Sequence, residues 1–149
     1  MKLLMLSPES LESFEAKIAE INCSEDELGK AMFKAVGGLP SSCAGYISGM
    51  PDTIDVWCND AGNYIPDLKP VILYCIHTSA GILEGCIKGS ILFTGRTADG
   101  EFCDLTDEQI GAVKDSIASL PFSNVLMDGK LRTVLYADMT ANRKTRHSK

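Results

Sequence analysis

The feature that most restricts the fold is the stretch from Ile54 to Cys103, where short apolar and β-branched runs alternate with clusters of turn-forming residues. Ile54-Asp55-Val56-Trp57-Cys58 alternates as a half-buried strand does, and Asn59-Asp60-Ala61-Gly62-Asn63 gathers residues that tolerate positive φ. This predicts a hairpin into Tyr64-Ile65. Val71–Ile76 and Ile87–Phe93 are nearly continuous in apolar, β-branched and aromatic residues, as central strands are. Thr97-Ala98-Asp99-Gly100 is placed to turn the second of them back into Glu101-Phe102-Cys103. Val125-Leu126 and Leu131–Tyr136 flank Asp128-Gly129, a strong hairpin signal. Hairpins outnumber β-α-β crossovers in this pattern. The expectation is an α+β fold, a mostly antiparallel sheet with about three helices packed on one face, in a single domain over residues 1–140.

Helical signals supply the rest. From Ser7, with Pro8 at an allowed first position, Leu11, Phe14, Ile18 and Ile21 recur every three or four residues and predict an amphipathic helix. Ser24-Glu25-Asp26-Glu27 reads as a capping box before the apolar stripe Leu28, Ala31, Met32, Ala35 and Val36, with Gly37-Gly38 as the stop. Thr106-Asp107-Glu108-Gln109 reads as a second box, before Ile110, Val113 and Ile117, and Pro121 ends that helix. The Ser- and Gly-rich segment from Pro40 to Pro51 is expected to be a mobile surface loop.

Composition excludes several classes. The 149 residues are 45% hydrophobic and 23% charged, the balance of a chain with a packed core. No apolar run nears the roughly 20 residues of a membrane span, and Met1–Leu6 turns polar at Ser7-Pro8-Glu9 before a signal segment develops. A cytoplasmic location is expected, with the six cysteines as reduced thiols and no membrane partner. A formal charge of −6 disfavours nucleic acid except at the end of the chain. There Arg143, Lys144, Arg146 and Lys149 form a basic tail over residues 141–149, the one candidate for nucleic-acid contact.

Candidate chemistry is sparse. Cys75 and His77 would share one strand face, a possible ligand pair, but a zinc site needs about four convergent ligands, so no metal is expected. A thiol nucleophile would be Cys43 or Cys75 with His77 as base, and Cys43, in the Ser-Gly loop, is the cysteine expected to reach solvent. The acids at helix starts and turns have structural roles, and Gly81, Gly85 and Gly89 match no phosphate loop and read as turn and bulge glycines. Trp57, Asn59, Asn63, Lys69 and Arg96 are the candidate lining of a small-molecule pocket, an aromatic for stacking and cations for phosphate. No cofactor and no catalytic residue are expected.

Several blocks carry a family likeness: Ala35-Val36-Gly37-Gly38, Val56–Gly62 leading to Ile65-Pro66, Gly89–Gly95, and Phe102–Ile110. On these the chain, from about Asp26 to Ile117, resembles domain of unknown function 3846, a family carried by bacteriophages and mobile elements. It departs from that pattern in a longer first helix, the segment from Val71 to Gly85 and everything after Ser119. The resemblance implies an origin in a phage or plasmid accessory gene and no catalytic residues to carry over. The leading expectation is a non-catalytic accessory protein that binds and modulates a bacterial host or defence component, of the anti-defence inhibitor type, in the host cytoplasm. The alternatives are a binder of a small molecule or nucleotide signal, acting as a sponge, and, less favoured, a Cys/His thiol enzyme.

Overall fold

The computed structural model describes residues 1–43, 47, 50–65 and 68–138. The basic tail, with Arg143, Lys144, Arg146 and Lys149, lies outside the described residues.

In chain order the strands are β1 (Lys2–Leu6), β2 (Ile18–Asn22), β3 (Pro40–Ser42), β4 (Ile54–Asn59), β5 (Pro70–Thr78), β6 (Gly81–Lys88), β7 (Ile91–Arg96), β8 (Phe102–Cys103), β9 (Phe122–Met127) and β10 (Lys130–Asp138). Two α-helices accompany them, α1 (Leu28–Val36) and α2 (Asp107–Ala118). The α+β class holds, with mostly antiparallel strands. They divide, however, into two sheets rather than one: a six-stranded sheet ordered β2-β1-β7-β4-β3 with β8 beside β7, and a four-stranded sheet ordered β6-β5-β10-β9. One pairing, β10 with β5, is parallel.

Alternation along β1, β4 and β7 explains the layers. Leu3 and Leu92 point to one face of the six-stranded sheet, where Met32 and Val36 of α1 cover them. Leu4, Leu6, Val56, Ile91 and Phe93 point to the other, into the main core shared with Ile110, Val113 and Ile117 of α2 and with Ile72 and Leu135 of the four-stranded sheet. The two α-helices therefore take opposite faces, not one face as expected. Fully burying side chains of this size contributes about 1.5–3 kcal/mol each, enough to fix which face is inward.

The N-terminal helix expected from Leu11, Phe14, Ile18 and Ile21 is not formed. Pro8–Ser13 makes a short 3-10 helix closed by Phe14 at φ 57, and Ile18–Asn22 is a strand antiparallel to β1. Pairing with β1 supplies a ladder of backbone bonds and half-buries Ile18 and Ile21 without a helix, so tertiary context overrides the period. β1 itself, between β2 and β7, was not anticipated.

At Ser24 no side-chain cap bond forms; a 3-10 turn at Glu25–Glu27 leads into α1. The Thr106 box is complete: Gln109 N donates to Thr106 Oγ1 at 3.1 Å and Thr106 N donates to Gln109 Oε1 at 2.9 Å. Gly37, at φ 78, closes α1 by donating to Phe33 O.

After β4 there is a 3-10 turn at Gly62–Tyr64 rather than a hairpin strand. Ile87–Phe93 is broken at Gly89, φ 86, so that β6 and β7 belong to different sheets. Gly81 and Gly89 are turn glycines as expected, whereas Gly85 is neither turn nor bulge: it lies mid-strand opposite Tyr74, and a Cβ there would run into the tyrosine ring. The Thr97–Gly100 turn and the Asp128-Gly129 hairpin are present, the latter with φ 52 and 76. Within the expected surface loop, Pro40–Ser42 is an edge strand and Cys43 and Ile47 are buried.

Candidate functional site

The residues expected to line a pocket are dispersed, and those described have structural partners. Trp57 lies on the α1 side of the six-stranded sheet, where its Nε1 donates to buried Thr94 Oγ1 at 2.9 Å. Asn59 is buried; its Nδ2 donates to Val36 O at 3.1 Å and its Oδ1 accepts from Ala61 N at 2.9 Å, tying the end of α1 to the end of β4. Arg96, the last residue of β7, lies beside the start of β4, where it pairs with Asp55 at 3.7 Å and donates to Asp52 O. Lys69 immediately precedes β5 of the other sheet, where Glu12 meets it at 3.4 Å and Arg132 at 3.2 Å. Asn63 falls in the Gly62–Tyr64 turn, and its side chain is outside what the structure describes.

A tighter constellation sits on the four-stranded sheet. Cys75 is in register with Asp138 of the parallel neighbour β10, and His77 follows on the same face two residues along β5. The thiol, an imidazole nitrogen and a carboxylate oxygen all lie within 4.8 Å of one another, with Cys75 buried and the other two exposed. Tyr136, two residues before Asp138, places its hydroxyl 2.6 Å from Cys75 Sγ. That contact first, then partial burial and the nearby Asp138 and Glu84 carboxylates, hold the phenol up at about 12, so it remains a hydrogen-bond donor at neutral pH. The Cys75-x-His77 pair was visible in sequence; Asp138 was not, because a parallel partner 63 residues on leaves no local signal.

A second thiol group lies on the six-stranded sheet. Ser41 is opposite Cys58, and Cys43, one alternation further, reaches the same face. Cys43, expected to meet solvent, is 3% exposed. Its bond to Cys58, together with burial, pushes the Cys43 thiol far above its ordinary range. The same bond draws Cys58 down to about 7, with Ser41 assisting and burial opposing. Both line a polar cleft of about 160 Å³ with Cys86 and Lys88. Burial pushes Cys86 up to about 11.

An apolar groove of about 620 Å³ runs beside α2, walled by Phe14 and Phe122 and floored by Ile117 and Leu135, with Lys17 and Lys114 on its lining. The two rings meet edge to face at 5.6 Å. Neither lysine was singled out in the sequence, since isolated lysines carry no signal. Next to the groove the four-stranded sheet exposes Leu126 and Leu131, paired directly across the hairpin, at 73% and 70%.

The model of the family described as domain of unknown function 3846 matches residues 1–118. The chain belongs to that family. The match takes in β1 and β2, upstream of the blocks that first suggested it, and ends with α2, so the β9–β10 hairpin, Tyr136 and Asp138 lie beyond the family region. No curated protein and no solved structure matches the chain. No helix among the described residues is long and apolar enough to cross a membrane.

Proposed function

We propose that this protein is a non-catalytic accessory protein of phage or mobile-element origin that binds and modulates a bacterial host or defence protein in the host cytoplasm, docking through strand β9. The observation that carries this reading is the character of that edge. Phe122–Met127 contains no charge and no proline, no strand among the described residues pairs with its outer backbone edge, and Leu126 and Leu131 beside it are largely exposed. Proteins ordinarily blunt such edges with charge, proline or a bulge, because an open edge pairs readily with an added strand. Acidity sets the preferred partner. With its four basic residues removed, the tail leaves residues 1–142 at −10 instead of −6, which favours a partner with basic flanks, such as a nucleic-acid-binding enzyme.

The test is affinity capture from bacterial lysate with the full chain and with a Leu126→Asp, Leu131→Asp variant, after confirming equal thermal unfolding. One reproducible protein, retained by the parent and lost by the variant, supports the reading. Equal capture by both, or none by either, sinks it, and a parent dimer that the variant dissolves redirects it to self-association.

A second reading, a small anionic ligand such as a nucleotide, is favoured by the groove between Phe14 and Phe122 with Lys17 and Lys114 on its lining. Saturating ligand stabilises a binder by a few kcal/mol, so a thermal-shift screen at millimolar nucleotide that shows no change removes this reading.

A further inference from the structure

We propose that Cys75, His77 and Asp138 bind a single divalent transition-metal ion of the zinc class on the outer face of the four-stranded sheet. The geometry is close to what such an ion requires. Bonds of about 2.0–2.3 Å to sulfur, nitrogen and oxygen place tetrahedral ligands about 3.5 Å apart. The three donor atoms already lie within 4.8 Å of one another, so rotation of exposed His77 and Asp138 is enough to close the remaining distance.

Backbone register, not loop geometry, holds them. Cys75 and Asp138 are paired across the parallel β5–β10 ladder, whose strands run about 4.8 Å apart, and His77 is fixed one alternation along. A site built on strands is positioned by the fold before any ion arrives.

The donor set selects the ion. One thiolate, one imidazole and one carboxylate suit zinc, cobalt or nickel and disfavour calcium and magnesium, which take oxygen ligands in larger number. Thiolate and carboxylate together cancel a 2+ charge. This matters at Cys75, which is 3% exposed, because an unpaired thiolate there would carry a desolvation cost that the ion offsets. Tyr136 completes the arrangement: its hydroxyl, 2.6 Å from Cys75 Sγ, can donate to the ligating sulfur, the role of an outer hydrogen bond at metal centres. Three protein ligands leave one position for water or for a donor from a bound partner.

The site also joins two parts of the chain, Cys75 and His77 from the family region and Asp138 from the hairpin beyond it. It does not depend on β9 docking anything.

The experiment is titration of the full, chelator-stripped chain with Co²⁺ and then Zn²⁺, reading the visible bands of four-coordinate cobalt and the near-ultraviolet thiolate-to-cobalt band. The expected result is one ion per chain, displaced by Zn²⁺. The thiolate band should vanish in Cys75→Ser, and affinity should fall by at least about a hundredfold in His77→Ala and Asp138→Asn. Tyr136→Phe should weaken binding about ten- to a hundredfold while the bands persist. Because His77 and Asp138 are exposed, their variants keep the test valid if Cys75→Ser does not fold. Absence of cobalt bands in the parent overturns the proposal. So do bands that survive Cys75→Ser and disappear in Cys58→Ser, which would assign the ion to the Cys43–Cys58 pair.

Discussion

The six-stranded and four-stranded sheets are built from similar residues to opposite ends. In the first, β1 and β7 are almost wholly buried, α1 covers one face and the main core the other. Its edges are blunted, β3 by its three-residue length and Pro40, and β2 by Glu20. The second shares the core through Ile72, Leu135 and Ala137, yet Ile82, Leu83, Leu126 and Leu131 stand exposed and β9 is uncharged. Among the described strand residues, only Phe102 is an exposed large apolar side chain on the six-stranded sheet. The difference teaches a division of labour: one sheet is the scaffold, and the other leaves large apolar side chains exposed beside an uncharged edge strand.

The largest expected effect separates the two directly. Phe93→Ala, at the centre of the scaffold with no exposed surface, should cost about 3–5 kcal/mol in denaturant unfolding, whereas Leu126→Ala should stay within about 0.5 kcal/mol. Similar costs at both positions would break the comparison. Next is Asn59→Ala, which leaves the Val36 carbonyl and the Ala61 amide without this partner; a loss of about 1–3 kcal/mol with no change in ligand response marks Asn59 as scaffold, although it also borders the cleft of Cys43 and Cys58. Thr106→Ala should cost about 1 kcal/mol, and Ser24→Ala, with no cap bond to lose, a few tenths at most.

That last pair shows what the sequence could and could not disclose. Both boxes have the right residues, but only the one at Thr106 closes, because at Ser24 the chain enters α1 through a 3-10 turn. The Asp128-Gly129 hairpin and the Gly37 stop were legible because positive φ is a local demand that few residues meet. β1, β2 and the split at Gly89 were not, since they depend on which strands pair across the chain, and helical spacing in Leu11–Ile21 fits a turn plus a strand equally well. The site followed the same rule. Cys75 and His77 share a strand and were readable as a pair; Asp138 joins them only through the parallel pairing of β10 with β5.

A smaller effect concerns the thiols. With the Cys43 thiol donating to its sulfur, Cys58 should be half ionised at about pH 7, well below the ordinary thiol, and its alkylation rate should rise through that pH. Cys43→Ala removes the donor and leaves burial to act, so the midpoint should move up. A midpoint for Cys58 near 9 in the parent would show that the bond does not hold in solution.

The contrast between the sheets is tested most directly by amide hydrogen exchange on the free protein. The two-residue loop of the hairpin turns the Asn124 and Leu126 amides away from β10, toward the open edge. They should exchange orders of magnitude faster than Met5 and Phe93, whose strands are flanked on both sides and should open only on global unfolding. Equal protection of Asn124 and Leu126 at micromolar concentration would mean that the edge is already covered, and would contradict the account.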